Sequence, residues 1–273
     1  MKSALRCSFY LAGGKKQYEL YEFINVLIER VLPVLPYIHI GTLNISTYYT
    51  AMFLGFVVMV VLMVLPRRRA IYGLSIPKAV LYAFCVLVAG ILGCKLLYVV
   101  ENFKSVRQDG ISFGGFSFYG AVLVVPLLVL LFRLPFRMSI GDAMDNAAVN
   151  ILGMLGTIRI GCFLNGCCGG ITGRIGAKIF TWPTQLMEAV CDFGILAWLL
   201  VSESMPGRPA RGKLYPRFLV SYGIVRFIIE VLRDTPKDWL GLSHGQWFSI
   251  VAVIAGICWT ILSKGGFNKN AKQ

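Results

Sequence analysis

The feature that most constrains this sequence is a series of apolar segments, each about as long as a bilayer is thick. Seven such segments fall near residues 47–66, 79–100, 115–134, 141–165, 184–202, 214–232 and 246–262. A helix needs roughly 20 apolar residues to cross a membrane, so the pattern predicts an all-α, polytopic membrane protein with about seven transmembrane helices. Only 15% of the residues are charged, whereas soluble domains average about 25%, which excludes a soluble fold.

These segments divide the chain into three parts. Residues 1–36 precede the first predicted span, residues 37–264 form the seven-helix membrane domain, and residues 265–273 form a cytoplasmic tail. Residues 18–35 alternate apolar and charged side chains at helical spacing, which fits a helix lying in the membrane interface or, equally, an ordinary amphipathic turn. The first 20 residues lack the apolar core of a signal peptide, so we expect none to be cleaved.

The charge is strongly basic, with 27 Lys and Arg residues against 13 Asp and Glu residues and a formal net charge of +14. The basic residues are scattered in short loops, without an RNA-binding aromatic motif, so they indicate anionic lipid as the partner and no nucleic acid. Loops after the first, third, fifth and seventh spans hold 13 of them, and the alternate loops hold six. The positive-inside rule therefore predicts the N-terminus outside and the C-terminus in the cytoplasm.

Charged residues inside the predicted spans form polar stripes at helical spacing. The stripes comprise Gln185, Glu188 and Asp192 on span five, and Tyr222, Arg226, Glu230 and Arg233 on span six. Span four adds Asp145 and Arg159, four helical turns apart on a similar face, with Gly153 and Gly156 between them to allow close helix packing. Charges at membrane depth usually face a bundle interior or wet cavity, so the set predicts a functional cavity, although any single residue fits a buried structural ion pair as well. Arginines favour an anionic ligand, because the guanidinium fork matches phosphate or carboxylate.

The most unusual segment is residues 156–170, GTIRIGCFLNGCCGG, at the end of span four. Its glycines allow close backbone approach and positive φ, and irregular backbone at membrane depth is tolerated where it lines a cavity. Cys162, Cys167 and Cys168 lack the spacing of a zinc knuckle and have no His nearby, so we predict no metal. Whether they are packing residues or reactive thiols stays open.

This segment resembles the signature of the bacterial prolipoprotein diacylglyceryl transferases, roughly G-R-x-G-N-F-x-N-G-E-x-x-G. The signature residues kept here are Arg159, Gly161, Phe163, Asn165, Gly166 and Gly170. Three more blocks occur in the family's order, PYIHIGTLNISTYYTAMFLGF, WPTQLMEAV and YGIVRFIIEVLRDTP, and Asp145 matches a family acid. The last two blocks keep Pro183, Gln185, Leu186, Glu188, Tyr222, Gly223, Arg226, Phe227, Glu230 and Arg233. The resemblance covers residues 36–262 and implies seven spans in a bacterial cytoplasmic membrane.

The departures from the family pattern remove polar or titratable groups. Tyr119 stands in place of the histidine that the family is held to use in catalysis, and Trp182 replaces another histidine. Cys162 replaces an asparagine and Cys167 replaces a glutamate of the signature. An altered or inactive paralogue, acting as a lipid-binding or lipoprotein-interacting membrane protein, is therefore the second hypothesis.

The resemblance implies transfer of a diacylglyceryl group from phosphatidylglycerol to the lipobox cysteine of prolipoproteins, without a cofactor. Arg159 and Arg226 are then expected to neutralise the phosphate, with Tyr119 as the third catalytic candidate. The remaining candidates would bind substrate: Asp145, Gly161, Asn165, Gly166, Gly170, Gln185, Glu188, Tyr222, Glu230 and Arg233. A small-solute transporter is the third hypothesis, although no internal repeat supports it.

Overall fold

A computed structural model describes residues 35–103, 136–175, 178–205, 212–237 and 240–266, together with residues 106, 107, 110, 129 and 131. The predicted interfacial helix, the third predicted span and Tyr119 lie outside the described residues, apart from residues 35, 129 and 131. The described residues therefore cover most of the predicted membrane domain except much of its third predicted span.

Helices dominate the described chain, which confirms the predicted class. The elements are β1 (Tyr37–Ile40), β2 (Leu43–Ser46), α1 (Thr47–Val64), α2 (Pro66–Tyr72), α3 (Ile76–Glu101), α4 (Ile140–Leu164), β3 (Thr172–Ile175), β4 (Lys178–Thr181), α5 (Thr184–Ser204), α6 (Leu214–Val231) and α7 (His244–Gly266). The described chain also has two short antiparallel hairpins, β1–β2 and β3–β4, which the sequence did not predict. Each hairpin immediately precedes a long helix and fixes the point at which that helix begins.

Five described helices are long and apolar enough to cross a membrane. These are Thr47–Val64, Ile76–Val100, Ile140–Leu164, Thr184–Ser204 and His244–Ser263. The 18-residue helix α6 is less apolar because it carries Arg217, Arg226 and Glu230. Large apolar side chains such as Phe53 and Ile261 are well exposed on the outside of the bundle, as expected for a surface that faces lipid. The multi-pass prediction is confirmed, whereas the count of seven stays a prediction.

Helix α4 lies at the centre of the bundle and packs against α1, α5 and α6. Small residues permit this packing, as the sequence suggested for Gly153 and Gly156. A Cβ atom at Gly153 would lie 2.5 Å from Leu62 Cδ1, and one at Gly156 would lie 3.0 Å from the Phe193 ring. A Cβ atom at Gly161 would overlap the Ala51 side chain. Helices α1 and α5 therefore approach α4 at its glycines.

A buried network ties the beginning of α4 to neighbouring helices. The Arg68 Nε donates to Glu203 Oε2 at 2.9 Å, and its other nitrogens donate to Asn146 Oδ1 at 2.9 Å and Asn150 Oδ1 at 2.8 Å. The Tyr72 hydroxyl also donates to Glu203. Arg68 and Glu203 are each 3% exposed, and a buried charge is tolerated when it is paired and hydrogen-bonded in this way. This network therefore fixes the helix ends.

Asp145 stabilises the start of α6. Its carboxylate accepts backbone N–H groups from Gly212 at 2.8 Å and from Leu214 and Tyr215 at 2.9 Å each. The first N–H groups of a helix have no partner within the helix, so a carboxylate in this position satisfies them and also favours the positive end of the helix dipole. The structure thus gives Asp145 a role in connecting α4 to α6.

Candidate functional site

Five charged side chains meet at the end of the bundle where α4 and α6 finish and α5 and α7 begin. The five are Arg159, Glu188, Arg226, Glu230 and Arg233, and we call them the arginine–glutamate cluster. Glu188 forms ion pairs with Arg159 and Arg226, and its Oε1 lies 3.4 Å from Arg233 Nη1. One carboxylate therefore contacts arginines from α4, from α6 and from the segment after α6.

Glu230 holds the other side of the cluster. Its Oε2 lies 2.7 Å from Arg226 Nη2 and 3.7 Å from Arg233 Nε. Its Oε1 accepts hydroxyl groups from Thr235 at 2.9 Å and Ser243 at 3.0 Å. Gly245 makes room for it, because a Cβ atom there would lie 2.7 Å from the carboxyl carbon. Glu230 is 1% exposed, so this carboxylate is buried between two arginines and two hydroxyl groups.

The arginine side chains of the cluster are more exposed than its glutamate side chains. The three arginine side chains are 11–14% exposed, whereas the side chains of Glu188 and Glu230 are 5% and 2% exposed. Three guanidinium groups against two carboxylates leave an excess of positive charge. Asp192, one helical turn beyond Glu188, is buried. Held guanidinium groups at a partly accessible site favour an anionic ligand.

The signature segment ends α4 in a Schellman motif. Gly166 N–H donates to Phe163 O and Cys167 N–H donates to Cys162 O, both at 3.0 Å, and Gly166 has a φ of 71°. This is the 6→1 and 5→2 pattern in which glycine takes the left-handed position after the helix. The motif normally brings the side chains at its two ends into contact, which here are Cys162 and Cys167. The sequence Cys-x4-Cys with glycine before the second cysteine carries this signal, which sequence reasoning missed.

Hydrogen bonds fasten this turn to the helices that carry the cluster. Gln185 Nε2 donates to Cys167 O at 2.6 Å, and Gly170 N–H donates to Trp182 O at 2.9 Å. Ile171 N–H donates to Leu232 O at 2.8 Å, next to Arg233. A Cβ atom at Gly170 would lie 2.5 Å from Leu232 O, so glycine is required by the close approach of two backbones. The signature turn and the arginine–glutamate cluster therefore form one site.

The turn also gathers three thiols. The Sγ atoms of Cys162, Cys167 and Cys168 all lie within 4.8 Å of one another. Cys168 is exposed and has a φ of 61°, an uncommon conformation for a residue with a side chain. Its hydrogen bonds with Cys162 and Cys167 and the charges of Arg233 and Arg159 hold the pKa of the Cys168 thiol below its ordinary value. The cysteine spacing alone did not predict that the three thiols lie together, because the spacing does not show how the turn folds.

The predicted site residues separate into four groups: a large set that comes together, Tyr222, Tyr119 and Asp145. The described residues of the cluster and of the signature turn come together: Arg159, Gly161, Asn165, Gly166, Gly170, Gln185, Glu188, Arg226, Glu230 and Arg233. Tyr222 lies one turn before Arg226 and stacks on Phe218 with ring centroids 5.5 Å apart. Tyr119 lies outside the described residues.

Asp145, predicted to bind substrate, lies apart from the cluster in the structure. It lies about 21 Å along α4 from Arg159, because the two residues are 14 positions apart at 1.5 Å each. Its carboxylate already accepts three backbone N–H groups at the start of α6. A cavity of about 340 Å³ near that end, lined by residues including Lys78, Arg137 and Asp142, is likewise at the opposite end from the cluster.

Fold and site together define a polytopic membrane protein with a partly buried, arginine-rich site at one end of its helical bundle. A family model described as prolipoprotein diacylglyceryl transferase matches residues 35–262. The chain belongs to this family, as its sequence motifs suggested.

Three relatives illustrate the similarity. A Clostridium perfringens protein named phosphatidylglycerol–prolipoprotein diacylglyceryl transferase 2 is 33% identical over 188 residues, which cover 62% of this chain and 73% of the relative. The Clostridium tetani phosphatidylglycerol–prolipoprotein diacylglyceryl transferase is 28% identical over 232 residues, covering 79% and 92% of the two chains. A Neisseria meningitidis protein of that name is 30% identical over 274 residues, covering 82% and 93%.

Proposed function

We propose that this protein transfers a diacylglyceryl group from phosphatidylglycerol to the lipobox cysteine thiol of prolipoproteins, as a step of lipoprotein maturation. The observation that carries the proposal is the family match over residues 35–262, which contains the whole arginine–glutamate cluster. Relatives that align with most of this chain are named for the same donor and acceptor. The sequence predicts that the remaining partners are the anionic lipids of the surrounding membrane.

The reaction makes two demands on the protein. The acceptor sulfur forms a bond to the glyceryl carbon, the bond from that carbon to the phosphate oxygen breaks, and glycerol phosphate departs with both electrons of that bond. The acceptor thiol, with an ordinary pKa near 8.5, must lose its proton to become a good nucleophile. The departing phosphate gains negative charge, which fixed cations stabilise without reorganising.

Arg159 and Arg226 are the residues that we assign to the phosphate. Both are paired with Glu188, so their guanidinium planes are oriented before a lipid binds. Such preorganisation reduces the entropy lost on binding and places positive charge where the leaving group develops negative charge. Arg233 and Glu230 complete the frame, while Gln185 and the glycines at 161, 166 and 170 hold the turn that adjoins it.

Tyr119 is the residue that we assign to the acceptor proton, because it aligns with the family's histidine. Phenol has an ordinary pKa near 10 and is a poorer base than imidazole at neutral pH. A tyrosinate beside an arginine is the form that would accept the proton. Glu230 or Asp145 could act as the base instead; Glu230 lies in the cluster, whereas Asp145 is held at the other end of α4.

The orientation that we propose places the cluster on the outer side of a bacterial cytoplasmic membrane. The loops predicted to be cytoplasmic are rich in Lys and Arg. With the N-terminus outside, α4 and α6 end, and α5 and α7 begin, at the outer surface, where secreted prolipoproteins are presented.

The test is lipid transfer by the purified full-length protein in phosphatidylglycerol vesicles to a peptide containing a lipobox, measured as the mass gained by the peptide. We expect the wild-type protein to add one diacylglyceryl group per peptide. Arg159→Ala and Arg226→Ala are each expected to lose at least about a hundredfold in rate, the scale seen when one charge-stabilising group is removed.

The matched control is Arg217→Ala, since Arg217 is also on α6 but stacks over the Trp198 ring, 5.8 Å from its centroid, away from the cluster. It should retain wild-type rate. Phosphatidylcholine vesicles should give no transfer. Absence of transfer by the wild type, together with transfer by Tyr119→His, would refute the enzymatic function of the natural chain and favour a lipid-binding paralogue.

A further inference from the structure

We propose that Cys162, Cys167 and Cys168 form a binding site for one thiophilic cation of the Zn²⁺ type. The proposal does not depend on the transferase activity. It rests on the position of three sulfur atoms, on the rigidity of the turn that holds them and on the charge around them.

The first observation is the distance between the sulfurs. All three Sγ atoms lie within 4.8 Å of one another. Sulfurs that share a tetrahedral Zn²⁺ at bond lengths of about 2.3 Å lie about 3.8 Å apart. Binding therefore needs movements of about an ångström or less, which side-chain rotation can supply. Thiolates are the ligands that Zn²⁺ and similar soft cations prefer, so the chemistry of the three donors fits the cation.

The second observation is that the backbone conformation of the turn and its hydrogen bonds position the three cysteines. The Schellman motif joins Cys162 to Cys167 through the N–H···O bond of 3.0 Å between them. The left-handed φ of Cys168 turns its side chain back toward the same point. Gln185 and Thr184, at the start of α5, donate to the carbonyl groups of Cys167 and Cys168. Ligands that are fixed before binding lose little entropy when the cation arrives.

The third observation is the charge around the sulfurs. Each thiol must release its proton to bind the cation, and three thiolates around one divalent cation leave a net charge of −1. Arg159 precedes Cys162 by three residues on α4, and Arg233 follows Leu232, whose carbonyl accepts the Ile171 N–H three residues after Cys168. Both arginines belong to the cluster, in which three guanidinium groups face two carboxylates. The positive charge of the cluster repels an unbound cation, but it stabilises the negatively charged complex of the cation with three thiolates.

Exposure indicates the type of site. Cys162 is buried, Cys167 is half-buried and Cys168 is exposed. In the part of the chain that the structure describes, the metal-ligand grouping comprises these three residues. A tetrahedral cation would thus keep a fourth position directed toward the accessible side of Cys168. Sites with three protein ligands and one open position are those at which a zinc ion binds a further ligand.

The experiment is a titration of the full-length, phosphine-reduced protein in detergent micelles with Cd²⁺, followed by the ultraviolet charge-transfer band of cadmium–thiolate bonds. We expect saturation at one Cd²⁺ per chain and loss of the band when Zn²⁺ is added in competition. Each of Cys162→Ser, Cys167→Ser and Cys168→Ser should weaken binding by at least the roughly tenfold that even outer-shell changes cause. Cys258→Ser is the matched control, an exposed thiol on α7, and should bind as the wild type does.

A second measurement uses only the wild-type protein and so does not depend on the folding of the variants. Zn²⁺ should protect Cys168 from alkylation by N-ethylmaleimide, as read by mass spectrometry, and should leave Cys258 equally labelled with and without the cation. Any one of three results would overturn the proposal. The Cd²⁺ titration would not saturate at one equivalent, the charge-transfer band would survive in the triple Ser variant, or Cys168 would be labelled equally with and without Zn²⁺.

Discussion

Among the residues that the structure describes, Glu188 is the carboxylate that contacts all three arginines of the site. Its pairs with Arg159 and Arg226 join α4, α5 and α6, and its 3.4 Å approach to Arg233 adds the segment after α6. Because the side chain is 5% exposed, solvent cannot replace the charge if it is removed. Glu188 therefore orients the candidate catalytic arginines and offsets the free-energy cost of burying their charges.

Glu188→Gln should lower the free energy of unfolding by about 3 kcal/mol, the usual cost of removing one partner from a buried ion pair. The amide retains a similar shape but leaves three guanidinium groups with less compensating charge. Denaturant titration in micelles measures the change. The neighbouring Asp234→Asn is the control, because Asp234 is exposed, and it should be nearly neutral; equal effects of the two substitutions would contradict this account.

The helices are positioned by small residues at their contacts. Helix α4 carries Gly153, Gly156 and Gly161, and each of these would conflict with a neighbouring side chain if it carried a Cβ atom. Gly161 lies two residues beyond Arg159 and one before Cys162, so the spacing between α1 and α4 also fixes the site. At this scale, helix packing and site geometry are set by the same residues.

Gly161→Ala should destabilise the protein by about 1–3 kcal/mol, the usual cost of overpacking, because the added methyl group would overlap Ala51. The double variant Ala51→Gly with Gly161→Ala should recover most of the loss, since it removes the opposing methyl group. Thermal and denaturant unfolding in micelles measure both.

Gly194→Ala is the control for this prediction. A Cβ atom at Gly194 on α5 meets no described heavy atom within 4 Å, and alanine favours a helix interior by about 0.5–1 kcal/mol. Its effect should be neutral or stabilising. If the double variant were no more stable than Gly161→Ala alone, contact with Ala51 would not be the reason for glycine at this position.

The whole molecule has two chemically different ends. At one end, Arg68 donates to Glu203, Asn146 and Asn150 and is 3% exposed, so its charge is used internally. At the other end, the arginines of the cluster are paired but partly exposed. The first end fits a structural role and the second fits a binding site, and we propose that this difference is a functional polarity of the bundle across the membrane.

That polarity can be tested with fusions at the C-terminus of the full chain. We expect a fluorescent green fluorescent protein fusion and an inactive alkaline phosphatase fusion, because the positive-inside rule predicts a cytoplasmic C-terminus. Helix α7 would then begin at the outer surface, next to Glu230 and Gly245 of the cluster region. The reverse pattern of reporter activity would place the site on the cytoplasmic side and contradict the proposed access of secreted prolipoproteins.

The sequence could predict the class of protein because bilayer thickness translates directly into the length of an apolar segment. Helical spacing also predicted the polar stripes on α5 and α6, and the structure brings Glu188, Arg226 and Glu230 of those stripes into contact. The hairpins β1–β2 and β3–β4 were not predicted, because four-residue strands beside apolar helices leave little periodic signal.

The sequence by itself determined that this chain spans a membrane, belongs to the diacylglyceryl transferase family and carries charge at membrane depth. Only the tertiary structure decided how those charges are used: Glu188 joins three arginines, Asp145 holds the start of α6, and three cysteines meet in one turn. The physical reason is that these contacts join residues far apart in the chain or separated by a change of backbone direction. They depend on how helices rotate and approach one another, which local spacing does not specify.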